Sequence, residues 1–337
     1  MNQATSTKNL LALLSCRDDN PLVAIANHHL DCRAMRMNRV FWASMHKMIV
    51  ATLRSLPTPL SVPASLRINR MLENLKAEYL GTTYFGARIF CQPKDLIQAY
   101  VLHFGIWEPE VSRVIETLLA PGDVFVDVGA NVGYDTLLGS WRVGPAGKVV
   151  AIEATPHTFA LLQRNLAQND GTGNVRTVQL AVSDKSGALD LYQLSDHNIG
   201  ATSTLPHRGG RHVATVTAAP LTEILQADEL SRVRLVKIDV EGGEAAIFCD
   251  ILDNLARFPF TADFLVEISP EENEAAWREI FARLKAAGFH GYEIMNRYDV
   301  EWYLSYRRPT PLRLAETLPD RQQDMLFTRG PLPRSLS

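Results

Sequence analysis

The 337-residue chain is poor in cysteine: Cys16, Cys32, Cys91 and Cys249 are scattered, with no C-x-x-C pair and no neighbouring histidine at finger spacing. That excludes a zinc finger and a disulfide scaffold, and the thiols read as unpaired in a reducing compartment. No apolar run reaches the ~20 residues of a spanning helix. "KNLLALLSC" near the start is too short in its apolar part for a lipoprotein signal, and Arg17 follows at once. The expected location is therefore cytoplasmic. A net charge of −3 gives no basic excess, so nucleic acid is not an expected partner. Internal repeats and low-complexity segments are missing as well. Acids are missing locally: between Cys32 and Leu72 there are seven basic residues and neither Asp nor Glu.

What is present is an alternation. From Pro121 onward, short apolar runs interleave with helix-like stretches. "DVFVDV", "KVVAIE", "NVRTVQLAV", "RLVKIDV" and "DFLVEI" predict five strands, and "YEIM" and "DMLFTR" predict two closing ones. Between them, "PHTFALLQRNLAQN", "EAAIFCDILDNL" and "NEAAWREIFARLKAAG" predict helices, the first opened by proline and the last ended by glycine. Apolar strands alternating with helices mean a parallel sheet covered on both faces. The first eighty residues lack this alternation and read as a helical N-terminal extension (1–80) to a second unit (81–337).

Ligands of such sheets bind beyond the carboxyl ends of the strands. The first strand ends in "VDVGANVGYD" (Val126–Asp135), where Gly129 allows a close backbone approach and Gly133 lets the next helix pack. Ala130 and Asn131 stand where the dinucleotide fingerprint G-x-G-x-x-G needs its second glycine, which argues against a pyrophosphate. Asp127 offers a carboxylate to an ammonium or sulfonium. Glu153, ending the second strand, is placed to accept from both hydroxyls of a ribose and disfavours a 2′-phosphate. These demands fit S-adenosylmethionine, with Asp127, Gly129, Asn131, Gly133 and Glu153 in its site. An NAD-dependent oxidoreductase or epimerase, and a non-catalytic protein keeping the fold, are the competing readings.

"GDVFVDVGANVGYDTLL", "GKVVAIEATPHTFALLQRNL", "LAVSDKSGALDLY" and "KIDVEGGE" occur in that order, preceded by "GIWEPEVSRVIETLLAPGD". Together they resemble the FkbM family of S-adenosylmethionine-dependent methyltransferases over about residues 105–327. The resemblance implies a class I, Rossmann-like methyltransferase fold: a seven-stranded, mostly parallel sheet with an antiparallel last strand. It also implies O-methylation of a hydroxyl on a sugar, glycolipid or secondary metabolite. Two departures mark a divergent member. Ala154 and Thr155 precede Pro156 where the family has proline directly after the acid, and "TAAPLTEIL" lacks the usual "LD".

Methyl transfer to an alcohol needs a base beside the cofactor. Asp239 and Glu241 lie two apart in a strand-to-turn segment loosened by Gly242 and Gly243, so both can point into the crevice. They are the catalytic candidates, Asp239 near the methyl end and Glu241 as base or acceptor orienter. Glu267, ending the fifth strand, is a substrate-binding candidate. The same three acids could serve a divalent cation, but no histidine or further acid in the motif completes a shell, so no metal is expected. Trp107 and Glu108, before the domain's first helix, are candidates to close the cofactor pocket. Ala181 and Val182, ending the third strand, offer small walls for the adenine. "SDHNIGATSTLPHRGGRH" (195–212) reads as a substrate lid, with His197 and Asn198 placed to contact a polyol acceptor.

In residues 32–56, Val40, Phe41, Met45, Met48, Ile49 and Leu53 make an apolar stripe flanked by Arg36, Arg39, Lys47 and Arg54. Two uses remain open: a cap or homodimer helix, or peripheral contact with the inner membrane face. The expected partner is a small-molecule or glycan acceptor.

Overall fold

The structure is a computed structural model and describes residues 51–53, 55–194, 202–204, 209–306 and 308–337. The chain runs through α1 (Thr58–Asn74), β1 (Tyr79–Thr82), β2 (Arg88–Cys91), α2 (Leu96–Phe104), α3 (Pro109–Leu118), β3 (Val124–Val128), α4 (Tyr134–Val143), β4 (Lys148–Ile152), α5 (Pro156–Ala167) and β5 (Val175–Val178). It continues through β6 (Ala181–Val182), β7 (Gly187–Gln193), β8 (Thr202–Ser203), β9 (Arg211–Ala219), β10 (Val233–Ile238), α6 (Glu244–Asp253), β11 (Asp263–Ile268), α7 (Glu274–Ala286), β12 (His290–Ile294), α8 (Val300–Ser305), β13 (Arg313–Leu314) and β14 (Gln323–Thr328).

The main sheet has the order β13-β12-β14-β11-β10-β3-β4-β5. Strands β11, β10, β3, β4 and β5 are parallel, and β14 runs antiparallel between β11 and β12. This is the expected seven-stranded α/β arrangement with a reversed last strand. The two-residue β13 adds an eighth, antiparallel edge.

Alternation along β3 settles which helix covers which face. Val124, Val126 and Val128 share a core with Phe248 and Ile251 of α6 and Trp277 and Ile280 of α7. Phe125 packs instead with Val114 and Ile115 of α3 and Leu138 of α4. Asp127 therefore faces α4, and Lys237, its register partner on β10, stands beside it on that face.

Two expectations are corrected. "NVRTVQLAV" is not one strand. The Glu153 amide donates to the Val178 carbonyl (3.1 Å) just as β4 gives way to its turn, so β5 has no partner beyond that point. The chain then leaves the sheet, and β6 pairs with β9 in a second sheet of order β6-β9-β7-β8. In that second sheet the two-residue β8 pairs antiparallel with β7.

The boundary drawn at residue 80 falls inside β1. Asn169 holds the β2 backbone at both Arg88 N and Arg88 O, and the Phe90 amide donates to Asn165, tying the hairpin to α5. Leu53 and Ala64 share a core with Ala130, Val132 and Tyr134. Among the described residues no helix is long and apolar enough to cross a membrane. Positions 32–50 of the basic, apolar-striped segment lie outside the described residues.

Gly129 has φ +83°, and a Cβ there would stand 1.7 Å from the Asp239 carbonyl oxygen. Glycine is required because two strand ends meet at this point. Gly129→Ala should destabilise the protein by about 2–5 kcal/mol in chemical denaturation, combining left-handed backbone strain with a clash between backbones. A loss below about 1 kcal/mol would show that the turn relaxes at little cost.

Candidate functional site

Chain order reverses between β3 and β10: β4 and β5 follow on one side, β10 and β11 on the other. A crevice opens at this switch point, at the carboxyl ends of the strands. It encloses about 240 Å³. Gly129–Asn131 after β3, Glu153 after β4, Asp239–Glu241 after β10 and Glu267 of β11 all line it.

At the β4 side, the buried Glu153 carboxylate accepts from the backbone amides of Asn131 (3.0 Å) and Thr155 (2.8 Å). Burial raises its pKa, and those two amides pull it back down. Asn131 reaches this position with φ +50°, in the left-handed region. Ala181 and Val182 are buried and line the crevice from the second sheet.

The β10 side is built around one buried cation. The Lys237 ammonium lies 2.8 Å from Asp239 Oδ2 and 3.3 Å from Asp135 Oδ2. Burial alone would lower its pKa, but Asp239, Asp135, Asp127 and Glu108 raise it well above the ordinary lysine value, so it stays charged. The second oxygen of Asp135 is buried without a hydrogen-bond partner on the crevice wall. Asp239 is not used as a helix cap. Glu244, the first residue of α6, instead folds back on the turn before it, its carboxylate accepting from the amides of Gly242 (2.8 Å) and Val240 (3.3 Å). Glu267, on neighbouring β11, has its pKa raised well above the usual range by burial and by the charges of Asp239, Asp324 and Glu241.

An aromatic wall closes the far side. Trp107 stacks on Tyr298 with ring centroids 5.4 Å apart. The Tyr298 hydroxyl donates to Glu108 Oε1 (2.7 Å), and the Glu108 amide donates to the Tyr303 hydroxyl (3.0 Å). Four non-glycine residues have positive φ among those described, and three of them, Glu108, Asn131 and Glu241, line the crevice. Strain of this kind persists only where surrounding contacts impose it.

Several sequence expectations change. Asp127 does not face the crevice. Its side chain is fully buried, accepts from the Thr136 hydroxyl of α4, and braces the wall from behind. The reason is the alternation that turns it toward α4. Gly133 is also set back: a Cβ there would meet Leu162 of α5 at 2.7 Å, so its role is packing. His197 and Asn198 lie outside the described residues. Thr202 of β8 and Thr204 just after it do line the crevice, and the Thr204 hydroxyl donates to the Gly242 carbonyl (3.1 Å). Asp239, Glu241 and Glu267 share a wall, yet among the described residues no group of His, Cys, Asp or Glu is arranged to hold a metal ion. Sequence reasoning missed Lys237, Asp135 and Tyr298. Only Lys237 carried a signal, as a lysine set between the apolar residues Val236 and Ile238 of a strand.

Burial lifts the Asp127 pKa to about 7. An unfolded Asp loses its proton near pH ~4, so between these values the folded chain binds more protons. Stability should therefore fall as pH rises through that window, by up to ~1.4 kcal/mol per pH unit for this group. Asp127→Asn should flatten that slope in denaturation curves taken across the window. An unaltered slope would show that Asp127 ionises normally in the folded chain.

The Methyltransferase FkbM domain model matches residues 127–290. The methyltransferase sdnD of Sordaria araneosa is 28% identical over 150 residues, covering 36% of this chain and 58% of that protein. The 31-O-demethyl-FK506 methyltransferase FkbM of Streptomyces tacrolimicus is 28% identical over 199 residues, covering 51% of this chain and 74% of that protein. The hexuronic acid methyltransferase AglP of Haloferax volcanii is 27% identical over 161 residues, covering 48% and 62%. The matches to sdnD and AglP span less than two thirds of those proteins. The matched stretch holds the glycine turn, Glu153 and the Lys237–Glu244 segment, and over residues 127–290 the chain matches the FkbM family of methyltransferases.

Proposed function

We propose that this chain is an S-adenosylmethionine-dependent O-methyltransferase acting on a hydroxyl of a sugar, glycolipid or secondary metabolite. One arrangement carries the reading: two carboxylates, Asp239 and Glu241, stand on the crevice wall across from the Glu153 end, and Lys237 fixes the first of them. The residues fit the cofactor. Glu153, already oriented by two amides, would accept from the ribose hydroxyls, and Ala181 and Val182 would flank the adenine. The unpartnered Asp135 oxygen would take the ammonium of the amino-acid end.

Bound S-adenosylmethionine supplies an electrophilic methyl on a sulfonium. An alcohol attacks it efficiently only as its proton leaves. Lys237 pairs with Asp239 and aims it, so Asp239 can hold the acceptor hydroxyl, and Glu241, two residues on, can receive its proton. The acceptor oxygen then forms the bond to the methyl carbon, and the electron pair of the broken C–S bond stays on sulfur. Glu267, whose burial favours its protonated form, can donate a hydrogen bond to a second acceptor oxygen when it holds a proton. The Trp107–Tyr298 wall excludes water and offers a flat face to a ring. The activities named for FkbM and AglP, on 31-O-demethyl-FK506 and on a hexuronic acid, both support transfer to an acceptor bearing hydroxyls.

Labelled S-adenosylmethionine incubated with cell-extract fractions, with mass spectrometry of the product, tests the reaction class. Methyl on oxygen is expected, and methyl on nitrogen or carbon would overturn the reading. Glu153→Gln should weaken S-adenosylhomocysteine binding roughly tenfold to a hundredfold, from loss of a charge-assisted bond of about 1.5–3 kcal/mol. Glu241→Gln should leave that affinity near wild type and cut turnover about a hundredfold. Turnover at the wild-type level would remove Glu241 from the chemistry.

A further inference from the structure

A second cavity, of about 300 Å³, lies between α1 and α2. Its lining comes from residues 65–104 and Val300, all outside the matched residues 127–290. The second cavity is thus built wholly from sequence flanking the matched stretch, whereas the crevice draws on both. The two adjoin: Leu96, at the start of α2, lines both. Tyr100 of the second cavity donates its hydroxyl to the backbone carbonyl of Tyr298, on the crevice's aromatic wall (2.7 Å).

The walls of this cavity are of two kinds. Its polar side chains are engaged with one another: Asn69 Nδ2 donates to Glu73 Oε1 (2.5 Å), and Asn69 Oδ1 pairs with the His103 ring nitrogen (2.7 Å). Groups already satisfied in this way ask nothing of a ligand. The remaining lining is mostly apolar, from Leu66, Pro93, Leu96, Ala99, Phe104 and Val300 with the ring of Tyr100, and includes Ser65 and Lys94. Leu66 is 54% exposed and Leu96 38%, apolar surface left open beside a hollow. A pocket of this size, mostly apolar and joined to a polar crevice, suits one kind of occupant.

We infer that the cavity between α1 and α2 is a subsite for an apolar arm of the acceptor, whose hydroxyl-bearing head occupies the crevice. The inference rests on the methyltransferase reading and narrows it: the acceptor is an amphiphile, with an alkyl or similarly apolar chain running over Leu96. A free, fully polar sugar would leave the subsite unfilled.

The test uses the full chain saturated with S-adenosylhomocysteine and titrated calorimetrically with n-alkanols from butanol to octanol. These are the smallest molecules combining a hydroxyl with an apolar arm. Affinity should rise up to about fourfold for each methylene buried. Leu66→Glu, on an exposed helical position, should abolish that chain-length dependence while leaving S-adenosylhomocysteine affinity unchanged. An affinity flat with chain length, no alkanol binding at all, or a dependence that Leu66→Glu leaves intact would each overturn the subsite. Failure of the wild-type protein to bind S-adenosylhomocysteine would instead overturn the methyltransferase reading, so the two failures are distinguishable.

Discussion

One buried ammonium organises the centre of this protein. Lys237 sits on the inward face of β10, beside Asp127 in register, under Asp135 at the start of α4 and against Asp239 at the strand end. Charges buried without partners are too costly to persist. This cation makes it possible for several carboxylates to converge on one crevice, and their negative charge in turn holds its proton. A helix start, two neighbouring strands and the crevice wall are thus joined through a single side chain. Loss of the lysine would leave acids facing acids in a dry interior, where removing one partner of a buried pair costs far more than the pair contributes.

The backbone has to cooperate with that electrostatic centre. Gly129 lets the β3 turn press against the Asp239 carbonyl, which brings the ends of β3 and β10 together. Glu108, Asn131 and Glu241 are held in left-handed conformations by the contacts around them. The fold thus concentrates its unfavourable backbone geometry at the crevice and keeps regular helices and strands elsewhere. The covering helices, with Trp277, Phe248 and Ile115 in their cores, supply the rigidity against which such strain can be held.

Much of this was legible in the chain. Strand β11 lies within "DFLVEI" residue for residue, and β3 and β4 differ from their sequence readings by one residue at an end, because continuous apolar runs between turn residues leave little choice. Glu153, Asp239, Glu241 and Glu267 were found because acids at strand ends stand out after apolar residues. The break after Val178 was not legible: it depends on where the neighbouring strand stops, which no local pattern records. Asp127 was misplaced because a motif fixes position along a strand but not which face a side chain takes. Tyr298 was invisible for the simplest reason, since its partner Glu108 lies 190 residues earlier.

That separation bears on how the protein is made. The glycine turn, Glu153 and the Lys237 segment leave the ribosome in sequence and can begin assembling the central strands. The wall formed by Trp107, Glu108 and Tyr298 cannot close until Tyr298 has emerged. Until then Glu108 lacks the hydroxyl that Tyr298 will donate, and the aromatic ring cluster of α2 lacks Tyr303. Contacts between residues so far apart in sequence are slow to form and leave apolar surface open while they wait. Competence to bind ligand therefore waits for Tyr298 and its neighbours, and a chain cut short near residue 290 would carry the whole matched stretch yet lack a finished crevice.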